Sequence, residues 1–253
     1  MVKPKKHLGQ HFLRDENIAR KIVMALPTGT RALIEVGPGT GVLTKYLMEK
    51  NIPEFYAIEV DPESVEYLRQ SIPEIGDRLI QCDFLRSDLS QLFSGEFTVI
   101  GNFPYNISSQ ILFRVLAYRN QVNVVIGMFQ KEVAERIASP KGTKAYGILS
   151  VLMQAFYDIE ILFTVSEHVF SPPPAVKSAV MKLTRNDLRS LPCDEHLFFE
   201  VVKTAFNQRR KMLRNALRQY GLHENPSVAH LLSKRAETLG TEDFIELTLA
   251  VRQ

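Results

Sequence analysis

Four consecutive residues, Asn102-Phe103-Pro104-Tyr105, close an apolar run that begins at Phe97. An amide, a proline and an aromatic ring in that order suit methylation of a flat exocyclic amine such as that of adenine. Such a nitrogen delocalises its lone pair into the ring. It attacks a methyl group only when hydrogen-bond acceptors draw it toward a tetrahedral geometry. The side-chain oxygen of Asn102 can accept one N–H, and a carbonyl locked by the following proline can accept the other. The ring of Tyr105 offers a face on which a base stacks and which attracts the charge developing on nitrogen. Taken alone, the same residues also read as a strand followed by an ordinary turn.

A second set of residues stands upstream. Ala32–Val36 reads as a short buried strand, Gly37-Pro38-Gly39-Thr40-Gly41 as a turn, and the stretch through Leu43, Leu47 and Met48 as an amphipathic helix. Strand, glycine-rich turn and helix open a nucleotide-binding βαβ unit, in which Gly37 and Gly39 let the backbone approach a ligand. The G-x-G-x-G spacing differs from the G-x-G-x-x-G of dinucleotide sites. Glu35 would repel a pyrophosphate there, but it suits a cation such as the sulfonium and amino groups of S-adenosylmethionine. A second strand, Phe55–Ile58, ends at Glu59-Val60-Asp61. Glu59 is placed for two ribose hydroxyls, and Asp61 for capping the helix that starts at Pro62. A third strand, Arg78–Cys82, ends at Asp83-Phe84. Asp83 is placed to accept from an adenine amine and Phe84 to pack near its ring. Each acid alone reads equally well as a helix cap. Three of them with a glycine turn, at the carboxyl ends of successive strands, mark the edge where open α/β sheets bind ligands.

Five segments occur in order along essentially the whole chain: Lys6-His7-Leu8-Gly9-Gln10-His11-Phe12-Leu13, Glu35–Gly41, Asn102-Phe103-Pro104-Tyr105-Asn106-Ile107-Ser108, Val169-Phe170-Ser171-Pro172-Pro173-Pro174-Ala175-Val176, and Phe206-Asn207-Gln208-Arg209-Arg210-Lys211. Together the set resembles the small-subunit ribosomal RNA adenine N6,N6-dimethyltransferases (KsgA, also called RsmA). The resemblance implies two methyl transfers to each of two adjacent adenosines near the 3′ end of 16S rRNA in the 30S particle, with S-adenosylmethionine as donor and no metal. By the same resemblance His11, Leu13, Gly37, Gly39, Glu59, Asp83, Phe84 and Asn102 line the donor site, and Gln10 helps hold its methionine end. Asn102, Pro104 and Tyr105 hold the target amine, and Phe170 stacks on the other face of the flipped base. Relatives often carry Leu where Phe103 stands, Asp where Lys177 stands and Asn where His11 stands. None of these departures removes a reacting group. The macrolide-resistance enzymes that methylate 23S rRNA share the cofactor and amine motifs, but the Phe170 and Phe206 segments favour the small-subunit family. A DNA adenine methyltransferase fits less well, since no separate base-reading domain is visible. A non-catalytic ribosome-assembly or RNA-binding factor on the same fold is the reading from another class.

The elements that must position these residues follow from periodicity. Residues from Asp15 to Leu26 read as a helix with Ile18, Ile22, Val23 and Leu26 on one face. Further strands are read over Val122–Phe129, Ile159–Val165 and Ala179–Leu183, and a short helix over Gln130–Ile137. The expected fold is α/β, a Rossmann-like class I S-adenosylmethionine-dependent methyltransferase domain with a seven-stranded, mostly parallel sheet, followed by a small all-helical domain. The boundary falls in the polar segment after Arg185. Residues 1–185 then form the catalytic domain with a basic N-terminal arm, and residues 186–253 a helical RNA-binding domain. Between Lys203 and Arg218 stand six basic residues and no acid. Asn207 is read as the cap of a helix carrying Arg209, Arg210 and Lys211 in its first turn, where a phosphate would offset them. Lys5, Lys6, Arg209, Arg210, Lys211 and Arg214 are the expected RNA contacts, and Ser139–Lys144 reads as a mobile basic loop.

Bulk properties agree with this. The 253 residues, 45% hydrophobic, suffice for one large core and a small appended domain. A net charge of +3 permits an RNA partner without requiring one. Two cysteines with neither pairing nor metal-ligand spacing suit a reduced, cytoplasmic setting. The N-terminal lysines are followed by no apolar leader, and no stretch approaches the ~20 apolar residues that span a bilayer. No repeat or low-complexity segment is present, and a monomer is the default expectation.

Overall fold

The computed structural model describes residues 2–251. The chain divides into two compact units, Met1–Ala134 with Ile159–Arg185, and Glu135–Asp158 with Asn186–Gln253.

The first unit begins with a two-residue strand, β1 (Phe12–Leu13), and helix α1 (Glu16–Met24), which starts where the Asp15 carboxylate accepts the N–H groups of Asn17 and Ile18. β2 (Ala32–Val36) is buried at all five positions, as expected of a central parallel strand. Then follow α2 (Thr44–Glu49), β3 (Glu54–Glu59) and α3 (Pro62–Ser71). Proline fits the first turn of α3, and Asp61 caps it as the sequence predicts. β4 (Leu79–Gln81), β5 (Phe97–Asn102), α4 (Ser108–Ala117) and β6 (Val122–Gln130) complete the alternation. α5 (Lys131–Ala138) leads into the second unit, where α6 (Ile148–Phe156) lies; β7 (Tyr157–Val165), β8 (Phe170–Ser171) and β9 (Ser178–Arg185) follow.

The large sheet has seven strands in the order β4-β3-β2-β5-β6-β9-β7. The first five run parallel and β9 is antiparallel to β6. Parallel register brings the carboxyl ends of β2, β3, β4 and β5 to one edge: Glu35 pairs with Ala57 and Ile100, and Glu59 with Gln81. The N–H of Gly37 extends the ladder to the carbonyl of Ile58 at 2.9 Å. A separate ladder joins the ends of the unit, with Phe12 opposite Ser171 and Leu13 opposite Phe170.

The second unit is helical. α7 (Glu195–Asn207) is capped by Asp194, which accepts from the Leu197 N–H at 2.7 Å, and buries Phe198, Val201, Val202 and Ala205. α8 (Leu213–Ala216), α9 (Ala229–Leu232) and α10 (Thr241–Ala250) follow. α6, buried on most of its surface, packs against α7 and α10, so Glu135–Asp158 groups with these helices and not with the residues the sequence reading placed around it. The hydrophobic run of α6 has no polar face to mark which neighbours it joins.

Two expectations are corrected here. Asn207 ends α7 and caps nothing; Arg209–Lys211 lie in the turn before α8, whose N-cap Met212 supplies no side-chain bond. The basic residues Arg209–Lys211 therefore lie in a turn ahead of the four-residue α8 and not in the first turn of a helix. The Ser139–Lys144 segment is not a free loop. Lys141 pairs with Asp243 at 3.2 Å, the Gly142 N–H donates to the Glu237 carbonyl at 2.6 Å, and the Thr143 carbonyl accepts from Arg209.

Candidate active site

The edge formed by the strand ends, together with arm residues Leu8–Leu13, encloses a pocket in the first unit. All the residues expected at a cofactor reach it: Gln10, His11, Leu13, Gly37, Gly39, Glu59, Asp83, Phe84 and Asn102. Gly37 and Gly39 hold φ of +68° and +59°, backbone open to glycine at little cost. A Cβ on Gly39 would also come within 2.9 Å of the Phe12 ring, so the turn closes tightly on the arm.

Glu59 is 4% exposed and still well satisfied. Its Oε2 accepts from the Gly39 N–H at 3.0 Å and its Oε1 from the Asp61 N–H at 2.9 Å. Burial raises its pKa, opposed by these backbone donors. Each oxygen keeps a second lone-pair direction, the capacity needed to accept from two ribose hydroxyls. Asp83 accepts from the Leu85 N–H at 2.9 Å and lies 3.5 Å from the Arg86 guanidinium. Phe84, 4% exposed, forms an apolar wall. Glu35 lies deeper, 1% exposed, with Oε2 lacking any partner. A glycine cradle, a buried carboxylate with open lone-pair directions and a second buried acid with an orphan oxygen fit a nucleoside carrying a cation, which is what the sequence resemblance implies.

The amine half adjoins it. Asn102 ends β5 and donates from Nδ2 to the His11 carbonyl at 2.9 Å, which leaves Oδ1 as the free acceptor. Phe103 is 1% exposed and stands edge-on to Phe129, with centroids 5.2 Å apart. Its ring lies over Gly101, where an added Cβ would come within 2.8 Å of it, so this departure from Leu is absorbed by the core. The Pro104 carbonyl accepts from the Ile107 N–H at 3.2 Å, which fixes the turn. Tyr105 is anchored through its hydroxyl to the hydroxyl of Ser178.

Three placements differ from expectation. Phe170 is 3% exposed, packs opposite Leu13 in the small ladder and does not line the pocket. Burial among apolar side chains withholds the ring face that base stacking needs. His11 instead lies on Tyr105, with centroids 5.4 Å apart and planes 27° from parallel, and bonds through Nδ1 to the Pro172 carbonyl at 2.8 Å. Gln10 and Lys5 are drawn to Asp61: Gln10 Nε2 donates to its Oδ2 at 3.1 Å, and the Lys5 ammonium forms a close ion pair with it. Those bonds hold the Asp61 carboxyl below its usual range despite burial. Lys177 is exposed and its charge favours the ionised form of Glu167, so the reversed sign finds a local counter-charge. Of the basic positions, Lys6, Arg210, Lys211 and Arg214 are exposed, whereas Arg209 donates to the Thr143 carbonyl at 3.2 Å and lies 3.6 Å from Glu237.

The His11 contacts and the β1–β8 ladder are what sequence reading missed. Two-residue strands carry no period, and a ring stacked across 94 positions leaves no local signal. No group of His, Cys, Asp and Glu able to hold a metal occurs among the described residues.

Comparison with known proteins follows the same lines. The sequence profile of the family described as ribosomal RNA adenine dimethylase matches residues 1–249. The chain is 57% identical over 249 residues to ribosomal RNA small subunit methyltransferase A of Flavobacterium johnsoniae, covering 98% of this chain and 95% of that one. It is 53% identical to the protein of the same name from Cytophaga hutchinsonii, with 98% and 96% covered. Among solved structures, a dimethyladenosine transferase from Plasmodium falciparum superposes with a TM-score of 0.79 at 24% identity, covering 94% of this chain and 96% of that one. The 23S rRNA methyltransferase ErmE gives 0.70 at 24%, covering 96% and 100%.

Proposed function

The chain belongs to the ribosomal RNA adenine dimethylase family, and on that premise we propose which of its residues carry the reaction and on which RNA. The fold is that of the class I S-adenosylmethionine-dependent methyltransferases, and the protein is an rRNA adenine N6,N6-dimethyltransferase. Bound S-adenosylmethionine supplies an electrophilic methyl on a sulfonium. Glu59 accepts from the ribose hydroxyls, Asp83 accepts from the adenine amine, Phe84 walls the ring, and Gly37 and Gly39 admit the methionine end. Gln10, His11 and Leu13 close that end from the arm.

Asn102 Oδ1 and the carbonyl preceding Pro104 accept the two N6 hydrogens of the target, pulling its lone pair out of the ring toward the methyl carbon. Tyr105 stacks on the base, a contact worth roughly 1–3 kcal/mol, which offsets part of the few kcal/mol that flipping costs. The methylated nitrogen is acidic and loses its proton to water, so no side chain need act as general base. The site works by position and by stabilising charge. The second base-stacking face falls to His11 or to a rearranged Phe170; in the conformation described, Phe170 supports Leu13.

The target is the pair of adjacent adenosines in the hairpin loop near the 3′ end of 16S rRNA, in a 30S precursor, with the protein acting as a monomer in small-subunit biogenesis. What carries this reading is the placement of Asn102 and Tyr105 in the lining of the pocket that also holds Glu59 and the glycine turn. The small-subunit target is supported by relatives of that name at 50–57% identity, against 24% for the 23S enzyme.

The test is labelled-methyl transfer from S-adenosylmethionine to unmethylated 30S particles, with 50S particles in parallel and a nucleoside digest. N6,N6-dimethyladenosine from 30S alone is expected. Label in 50S particles would move the protein to the resistance-type activity. Tight 30S binding with no label would make it a binding factor.

A further inference from the structure

Glu35 stands one residue before the carboxyl end of β2, the central one of the five parallel strands, between Ala57 and Ile100. Burying a carboxylate there is costly unless it is paired. It has no ion pair among the described residues, and its Oε2 has no hydrogen-bond partner. The Thr44 hydroxyl faces it from α2 without closing a bond. Yet the side chain lines the pocket. The titratable groups at the neighbouring strand ends offer it no cation, and His11, which lines the same pocket from the arm, is engaged by the Pro172 carbonyl and the Tyr105 ring. Glu59 at the end of β3 adds a like charge. Asp61 beyond it is matched by Lys5, and Asp83 after β4 is matched by Arg86. β5 ends in the neutral Asn102. Burial, opposed by Thr44 and reinforced by Glu59, pushes the carboxyl up to about 8. At neutral pH the free protein therefore holds Glu35 as the neutral acid.

We propose that Glu35 senses the charge on the cofactor sulfur, ionising when a sulfonium enters the pocket and recovering its proton once methyl transfer leaves a neutral thioether. This rests on the methyl-donor reading of the pocket. The cofactor's ammonium and carboxylate are unchanged by the reaction, and only the sulfur changes charge. During transfer the N6 lone pair forms the new N–C bond, the S–CH3 pair stays on sulfur, and the N6 proton leaves to water. A cation beside a buried carboxyl favours its ionised form, and loss of that cation next to Glu59 favours the acid. Glu35 thus couples the identity of the ligand to a proton. Its preference for the methylated cofactor over the product grows as pH rises toward the pKa of the free protein.

Calorimetric titration of the full chain, in two buffers of different ionisation heat, tests this. At pH 7 S-adenosylmethionine should release close to one proton more from the wild type than from Glu35→Gln, and S-adenosylhomocysteine should not. From pH 6 to 8 wild-type affinity for the sulfonium should rise by up to about tenfold per unit, with the thioether unchanged. An analogue bearing an ammonium group in place of the methylated sulfur should release the proton as the sulfonium does, a test that needs no variant. Equal proton release by sulfonium and thioether, or identical release from wild type and Glu35→Gln, would overturn the sensor while leaving the pocket assignment standing. Failure of both ligands to bind at any pH would overturn that assignment and the sensor with it.

Discussion

The amide of Asn102 is oriented by a backbone atom of the N-terminal arm, since its Nδ2 donates to the His11 carbonyl 2.9 Å away. The acceptor oxygen is thereby turned to the pocket before any substrate arrives. Asn102→Ala should lower kcat by about 10²- to 10³-fold, the usual cost of one preorganised transition-state partner. RNA affinity should stay within a few-fold. Single-turnover methylation beside equilibrium RNA binding separates the two. Weak binding with normal turnover would remove Asn102 from this role.

The basic segment divides by what its members touch. Arg210, Lys211 and Arg214 are exposed, and replacing any of them by Ala should weaken RNA binding and reduce the salt slope by roughly one. Arg209 instead ties the Thr143 carbonyl. Arg209→Ala should lower stability by about 1–2 kcal/mol in denaturant titration. An unchanged salt slope for the first three would exclude them as phosphate contacts.

Asp61 both caps α3 and anchors Lys5 and Gln10. Asn caps a helix as well as Asp does, so Asp61→Asn removes the ion pair and spares the cap. S-adenosylmethionine binding should weaken several-fold at low ionic strength, with the gap to wild type narrowing as salt rises. Equal affinity at all salt concentrations would show that the anchor does not hold the arm over the pocket.

Glu35 also ties stability to pH. Its carboxyl lies near 8 in the folded protein, above the ordinary 4.5 of the unfolded chain, so the native state holds the proton more tightly. Its contribution is fully present below about pH 4.5 and is lost as pH rises through about 8. Relative to Glu35→Gln, cofactor-free wild type should lose on the order of a few kcal/mol between pH 5 and 8. Parallel curves for the two would show that the acid is ionised throughout.

All seven strands of the large sheet were legible in the sequence, because buried parallel strands such as Ala32–Val36 and Phe97–Asn102 are apolar runs broken by turn residues. The convergence of Glu35, Glu59 and Asp83 on one pocket was legible because each stands at the end of such a run. The position of Asn207 was misread because a capping residue and a helix-ending residue share one chemistry, and only the packing of α7 decides between them. The burial of Phe170 was not legible because an aromatic beside Ser-Pro-Pro-Pro looks equally able to meet a base or the core, and its pairing with Leu13 depends on a partner 157 positions away.

That pairing has a consequence for biosynthesis. Residues Leu8–Leu13 form one wall of the pocket and leave the ribosome long before the ladder partner of Phe12–Leu13, Phe170–Ser171, and the Arg14 N–H waits for the Val169 carbonyl, 2.8 Å away in the finished fold. The arm is thus made early and seated late. A nascent chain that has built β2 to β6 owns every acid of the donor site and still lacks its cover. Until Phe170–Ser171 have emerged, the half-made enzyme has no closed pocket in which to bind cofactor.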